Sequence, residues 1–148
     1  MPQSISKIYL HLIFSTKRRV KIITEDIRPS LQAYIIEVAS NLKIFVHEIY
    51  ANPDHVHILC ELPRTMTVSE IVQKLKTPSS SWMKTQGKRS FEWQNGYGVF
   101  SASQSKLNVL KLYIQRQAEH HRNMSFEDEF RLFLKEYQIE FDEKYVWD

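Results

Sequence analysis

The chain has 148 residues, of which 43% are hydrophobic and 25% charged, a balance typical of a folded protein with its own core. It excludes a disordered or low-complexity chain, and no apolar stretch approaches the ~18 residues of a membrane span. The net charge of +3 is too small to indicate a nucleic-acid-binding protein by itself. The length and composition predict one domain, residues 1–148. Because the first residues lack the pattern of a signal peptide, we expect this domain in the cytoplasm.

The first part of the chain predicts a strand followed by a helix. Residues 5–15 are almost continuously apolar or aromatic, which is typical of a central strand, and His11 within it is expected to be a hydrogen-bonded core residue. Apolar residues recur at helical spacing over residues 25–42, with Thr24 as the expected N-cap.

A hairpin is predicted next. Asn52-Pro53-Asp54 has the composition of a tight turn, so residues 44–51 and 55–62 are expected to pair as antiparallel strands. The single cysteine, Cys60, lies in the second strand and is interpreted as a buried thiol without a redox role.

The second helix is predicted over residues 68–86. It begins at a capping-box pattern formed by Thr67 and Glu70. Pro78 lies inside this helix, so we expect a break or kink near Thr77.

The last part of the chain predicts a strand and two more helices. Gly96 and Gly98, two of only three glycines, indicate a loop with unusual backbone angles or a close approach to another group. A strand is predicted at residues 99–103, followed by helices at 105–123 and 125–137 and an acidic tail. This order predicts an α+β fold of the ferredoxin-like βαββαβ type, an antiparallel sheet with additional C-terminal helices.

The sequence His55-Val56-His57 is the first candidate for a chemical site. Alternate residues of a strand face the same way, so the two imidazoles project from one face and could form half of a metal site. The spacing alone more often indicates a hydrogen-bonded pair of histidines on a half-exposed strand, or two solvent-exposed histidines, without a metal.

A second candidate lies on the helix predicted at residues 105–123. Tyr113, Gln117 and His120 are spaced i, i+4 and i+7, which places a phenol, an amide and an imidazole along one stripe. The alternative is an ordinary amphipathic helix with Tyr113 at the edge of the core.

Charge is distributed unevenly along the chain. Residues 1–21 contain five cations and no acid, and residues 64–89 contain six cations and one acid. From residue 119 onward acids predominate. The basic segments could contact phosphates or could be ordinary solvated faces. The residues first considered for phosphate contacts are Lys17, Arg18, Arg19 and Lys21.

Four sequence blocks resemble a known family. SKIYLHLIFSTK, NPDHVHIL, WQNGYGVFS and YIQRQAEHH, in this order, are similar to the HUH-type single-tyrosine transposases of bacterial insertion sequences and their repeat-associated relatives. The resemblance extends to about His121. It implies a ferredoxin-like core, a homodimer with composite active sites, and single-stranded DNA folded into hairpins as the substrate.

The resemblance also implies roles for particular residues. Tyr113 would be the nucleophile, and His55, His57 and Gln117 would bind a divalent metal ion. The family points to Mg²⁺ or Mn²⁺, whereas ligand type alone would favour zinc or manganese. His120 and His121 are further candidates for residues that support the metal ligands.

The expected activity is therefore that of a DNA strand-transferase. It would cleave and rejoin single-stranded DNA through a covalent 5′-phosphotyrosine. Two alternatives remain open at this point, a non-catalytic protein that binds DNA hairpins and a metal-dependent phosphodiester hydrolase in which water attacks.

Overall fold

The computed structural model describes residues 2–148 and contains a four-stranded antiparallel sheet. The strands occur in the spatial order β2-β3-β1-β4, with β3 and β1 in the centre. This order and the helices between the strands confirm the predicted α+β, ferredoxin-like fold. The strand bounds are β1 Tyr9–Ser15, β2 Val46–Ala51, β3 His55–Glu61 and β4 Gly98–Ala102.

Within the described residues, five α-helices accompany the sheet. The first two pack against each other on one sheet face, and the last three follow β4 on the opposite face. None of the helices in residues 2–148 combines the length and apolar character that a bilayer crossing requires. The helix bounds are α1 Arg28–Asn41, α2 Val68–Thr85, α3 Leu107–Gln115, α4 Gln117–His120 and α5 Phe126–Glu136.

The main hydrophobic core lies between the sheet and helices α1 and α2. Alternate residues of β1 and β3 face this side and are fully or almost fully buried. Burial of this apolar surface is the dominant stabilising contribution to the fold. The strand residues on this face are Leu10, Leu12, Phe14, Val56, Ile58 and Cys60.

The opposite sheet face carries two smaller apolar clusters. One joins Ile13 and Phe100 to helix α5, and the other joins Tyr9 and Leu59 to helix α3. His11 and His57 are buried on the same face, because they alternate with the core residues along β1 and β3. Polar groups therefore occupy the middle of this layer.

Two predicted element starts are wrong by three residues or more. Strand β1 begins at Tyr9 rather than at residue 5, and α1 begins at Arg28 rather than at residue 25. Thr24 is not the N-cap of α1, because Ile27 occupies that position; the Thr24 carbonyl accepts the N–H groups of Ile27 and Arg28 in a turn before the helix. Pro29 fits the first turn of α1, where no intrahelical N–H is needed.

Helix α2 begins as predicted but does not break. The capping box of Thr67 and Glu70 is present, with both reciprocal hydrogen bonds formed. The helix nevertheless continues through Pro78 to Thr85. The adjacent Ser79 hydroxyl donates to the carbonyl of Leu75 at 2.6 Å and so supplies a hydrogen bond next to the proline.

The single helix predicted at residues 105–123 is divided in two. Helix α3 ends at Gln115, and α4 begins at Gln117 after Arg116, whose angles of φ −98° and ψ 19° are not helical. The expected regular stripe of Tyr113, Gln117 and His120 is therefore interrupted. A local change of backbone angle of this kind leaves no clear signal in a helical pattern.

Gly98 allows helix α5 to approach strand β4. A Cβ atom at this position would lie 2.7 Å from ring atoms of Phe130 on α5, which is closer than any side chain tolerates. The expected close approach is confirmed here. It determines how near α5 and its polar residues come to the sheet.

Candidate active site

The site begins with the two histidines at the start of β3. His55 and His57 project from the sheet face that carries α3, α4 and α5, and both have no exposed surface. β1 lies beside them, and its His11 Nε2 is 2.8 Å from Nδ1 of His57. The predicted strand geometry therefore brings three imidazoles into one buried layer.

A carboxylate from helix α5 lies at the centre of the site. Oε1 of Glu129 is 3.0 Å from Nε2 of His57 and 3.3 Å from Nε2 of His55. His121, which follows α4 directly, places its Nε2 3.2 Å from the same oxygen. One ligand atom from each of these four residues lies within 4.8 Å of the others.

The second nitrogen of each imidazole also has a partner. Nδ1 of His55 is 2.7 Å from Oδ1 of Asp54, and Nδ1 of His121 is 2.6 Å from the Met124 carbonyl oxygen. A carboxylate or carbonyl oxygen only accepts, so each Nδ1 carries a hydrogen and donates. With a second proton, as in the imidazolium form, Nε2 would donate to Glu129; in the neutral tautomer Nε2 instead presents a lone pair to the centre of the cluster.

The predicted nucleophile reaches the same carboxylate within one chain. The Tyr113 hydroxyl donates to Oε2 of Glu129, and the Gln117 amide nitrogen donates to that oxygen at 3.0 Å. Gln117 in turn accepts a hydrogen bond of 3.0 Å from the Asn52 amide. This amide orientation follows from the hydrogen-bond network. In it, the Gln117 oxygen faces Asn52 rather than the histidines.

Burial and charge shift the pKa values of these groups in different directions. Burial would raise the pKa of Glu129, but the histidines around it, His57 first, hold it well below its usual range. Burial lowers the pKa of His57 to about 4, so this imidazole is neutral at pH 7. Burial would also lower the pKa of His55, but its hydrogen bonds to Asp54 and Glu129 raise it.

The pKa of the Tyr113 phenol is raised strongly. Burial is the main cause, and the negative charge of Glu129 adds to it. The phenol is consequently protonated at pH 7. It would need additional positive charge nearby to act as a nucleophile.

The structure brings most of the predicted site residues together. Tyr113, His55, His57 and Gln117 all lie in or against the cluster. His121, considered only a supporting residue, contributes a nitrogen to the cluster itself. His120 lies outside the cluster, with its ring 4.6 Å from the Tyr113 ring.

Sequence reasoning missed Glu129. It lies in the acidic C-terminal part of the chain, where a solvated side chain is the simplest expectation. A signal was nevertheless present, because Glu129 shares one helical stripe with Phe126, Phe130 and Phe133. An acid inside an apolar stripe is expensive to bury without partners, and therefore indicates a buried polar site.

Three of the four predicted basic residues border an open cleft beside the cluster. The cleft has a volume of about 440 Å³, and its lining includes Arg18, Arg19, Lys21 and His121. Arg18 and Arg19 both have positive φ angles, 58° and 55°, a conformation that stores strain outside glycine and is concentrated at functional sites.

These cations are not equally free to bind a ligand. Arg19 donates to the carbonyl of Trp147 at 3.1 Å, and Lys17 lies 3.3 Å from the Glu92 carboxylate. Within residues 2–148, Arg18 and Lys21 have no carboxylate at ion-pairing distance. Arg18 and Lys21 are therefore the most available cations of this group.

The donor set fits a divalent metal ion. Three imidazole nitrogens and one carboxylate oxygen converge, and their outer atoms are held by further hydrogen bonds. Imidazole and carboxylate are ordinary ligands of zinc and manganese. Every buried polar side-chain atom in the described residues has a hydrogen-bond partner, so the cluster also forms a satisfied network.

Comparison with known proteins gives a consistent result. The family model described as "Transposase IS200 like" matches residues 4–117. A provisionally assigned transposase from Deinococcus radiodurans R1 is 21% identical with a TM-score of 0.62, over 79% of this chain and 98% of that one. A REP-associated tyrosine transposase solved with a REP hairpin is 17% identical with a TM-score of 0.61, over 82% of this chain and 72% of that one. At these identities the two structures support the fold alone. A search of curated protein sequences found no match to the chain.

Proposed function

Because this chain belongs to the family of IS200-like transposases, we propose that it cleaves and rejoins single-stranded DNA with Tyr113 as the nucleophile. The observation that carries this proposal is the position of the Tyr113 hydroxyl. It donates to a carboxylate that also contacts three histidine nitrogens. A phenol and a set of metal-binding side chains are the groups that a metal-assisted transesterification requires.

The metal ligands proposed from the resemblance are His55, His57 and Gln117. The two histidines have their Nε2 atoms directed inward, and Gln117 is fully buried beside them. A divalent ion, Mg²⁺ or Mn²⁺, would supply positive charge that polarises the scissile phosphate and stabilises the leaving oxygen. The same charge would offset the effect of Glu129 on the Tyr113 phenol.

In the proposed reaction, the Tyr113 oxygen attacks the phosphorus of a scissile phosphodiester. The new bond joins phosphorus to the tyrosine oxygen, and the bond between phosphorus and the 3′ oxygen breaks. The phenol loses its proton, and the leaving strand gains one to end in a 3′-hydroxyl. The product is a 5′-phosphotyrosine, which conserves the phosphodiester energy, so a 3′-hydroxyl can reverse the step without ATP.

The proposed substrate is single-stranded DNA that carries hairpins. One structural neighbour was solved with a REP hairpin, which motivates the same class of ligand here. We assign the cleft beside His121, together with the adjoining pocket that Lys17, Arg18 and Arg19 line, as the path of the strand. Lys17, Arg18, Arg19 and Lys21 would contact its phosphates. The cytoplasmic location expected from the sequence, and the homodimer, stay predictions.

A labelled-DNA experiment tests the proposed function. The protein would be incubated with Mn²⁺ and with hairpin-containing single strands from the DNA flanking its gene, and the products separated on a denaturing gel. We expect a covalent protein–DNA adduct and a free 3′-hydroxyl fragment. Cleavage to a 5′-phosphate without an adduct would indicate a hydrolase, and binding without cleavage would indicate a hairpin-binding protein.

A further inference from the structure

We propose that His121 and Glu129 are metal ligands that complete a centre of three imidazoles and one carboxylate with His55 and His57. This inference deepens the proposed function and rests on its metal site. It replaces Gln117 as a direct ligand. It also changes the expected metal, since nitrogen-rich sites favour Mn²⁺ or Zn²⁺ over Mg²⁺.

The geometry of Glu129 carries the proposal. Its Oε1 is the atom shared by all three histidines, at 3.0, 3.2 and 3.3 Å from their Nε2 atoms. The residue is 2% exposed, although a lone carboxylate in such a place would be costly to bury. The free-energy cost of burying a charge is compensated when the group is paired or binds a metal. The position of Glu129 among the three histidines permits either arrangement.

The orientation of the imidazoles gives a second, independent argument. His55 and His121 donate from Nδ1 to oxygen atoms of Asp54 and Met124, and His57 Nδ1 faces His11. The hydrogen bonds to Asp54 and Met124 fix for His55 and His121 the tautomer that metal-binding histidines need, and the contact with His11 holds the His57 ring in place. Histidines that served only to fill the core would not need all three inner nitrogens to face one point.

Gln117 has a different place in this arrangement. Its amide nitrogen donates to Oε2 of Glu129, the carboxylate oxygen that also accepts the Tyr113 hydroxyl. Its own oxygen is engaged by Asn52. Gln117 is therefore a positioning residue, which orients the carboxylate, and Glu129 links the metal centre to the nucleophile.

The proposed additional ligands come from a part of the chain that the family model does not reach. The match ends at residue 117, whereas His121 and Glu129 follow it. His121 directly follows α4, Glu129 lies on α5, and the close approach at Gly98 brings α5 to the sheet. The completed centre is thus a property of this chain's own C-terminal helices.

Calorimetric titration of the full chain with Mn²⁺, Zn²⁺ and Mg²⁺ tests the proposal without DNA. We expect one strong site for Mn²⁺ or Zn²⁺, and at least about tenfold weaker binding in both Glu129→Gln and His121→Asn. The matched controls are Glu61→Gln and His47→Asn, a remote histidine–carboxylate pair joined at 2.7 Å, and these should bind metal as the wild type does. Unchanged metal affinity in Glu129→Gln and His121→Asn would overturn the proposal.

A measurement on the unmodified protein covers the case in which a variant fails to fold. Long-range ¹H–¹⁵N spectra with one equivalent of Zn²⁺ should shift the Nε2 resonances of His55, His57 and His121 together. The Nε2 resonances of His47 and His120 should not move. Shifts at His55 and His57 without one at His121 would overturn the completed centre.

The two proposals fail in distinguishable ways. Loss of metal binding in Glu129→Gln, with no DNA adduct from the wild type, would support the centre and reject the strand-transfer activity. A wild-type adduct, with normal metal affinity in Glu129→Gln, would support the activity and reject the four-ligand centre.

Discussion

The two faces of the sheet use the same two central strands for different purposes. Toward α1 and α2, every buried side chain of β1 and β3 is apolar, and the face is closed by an extended hydrophobic core. Toward α3 and α5, His11, His55 and His57 interrupt the apolar residues, which form two small clusters among residues 2–148. One face therefore supplies most of the stabilising burial, whereas the other holds a buried polar network whose geometry must be maintained by hydrogen bonds.

This contrast explains why the polar face depends on its partners. A buried polar atom left unpaired costs about 1–3 kcal/mol, whereas a paired one costs little. Gln117 forms hydrogen bonds with both Glu129 and Asn52. Glu129 also contacts His57, and Asn52 also contacts His55. We expect substitutions on this face to affect activity first and substitutions on the apolar face to affect stability first.

The largest expected effect is on the polar face. Tyr113→Phe should abolish cleavage, because the nucleophilic oxygen is lost while the ring that packs near His57 is retained. Binding to a hairpin strand should be nearly unchanged by gel shift. Tyr137→Phe is the matched control, since it removes a phenol that donates to the Ser101 carbonyl and should leave cleavage intact. Cleavage by Tyr113→Phe would mean that another group attacks.

Mixing two inactive variants tests whether one chain forms the whole site. Tyr113 contacts the cluster of its own chain, so we expect a mixture of Tyr113→Phe and His57→Ala to stay inactive even in heterodimers. Subunit exchange would be verified by mass spectrometry of tagged chains. Restored adduct formation would instead support the composite site that the family resemblance implies.

A substitution on the apolar face should separate stability from chemistry. Leu12 is fully buried in the main core, so Leu12→Ala should lower the free energy of unfolding by about 2–5 kcal/mol. Urea unfolding measures this loss. At a temperature where the variant is folded, adduct formation per folded molecule should match the wild type, and a selective loss of activity would contradict the division between the faces.

Gly98→Ala should disturb the polar face through its backbone. The added Cβ would meet Phe130, which moves α5 and with it Glu129, and we expect a loss of about 1–3 kcal/mol in stability. Metal affinity measured by calorimetry should fall as well. Gly87→Ala is the control, because its φ of +89° is also unfavourable for alanine but open space surrounds it. It should lose stability without losing metal affinity.

The smallest expected effect concerns the cleft at the rim of the polar face. Arg18→Gln combined with Lys21→Gln should flatten the plot of log affinity against log salt by roughly 0.7 units per lost contact to single-stranded DNA. Lys135→Gln, an exposed cation on α5 outside the cleft, should leave the slope unchanged. Equal slopes for the double variant and the wild type would place the DNA elsewhere.

The sequence alone was sufficient for the fold class and for one half of the candidate site. Strand alternation puts His55 and His57 on one face, and the order of elements with turn residues 52–54 predicts the hairpin. Both are local properties, since they depend only on spacing and on turn chemistry. The helix ends at Arg28 and Arg116 were less predictable, because one or two backbone angles decide them.

The tertiary structure decided which groups meet the histidines. Nothing in the local sequence distinguishes Glu129 from its acidic neighbours Glu127 and Asp128, except its place on the apolar side of α5. Its contact with His57 spans 72 residues and depends on how α5 packs over Gly98 and β4. Contacts of that kind arise when separate elements pack together. Sequence periodicity describes each element by itself and does not show how two elements pack.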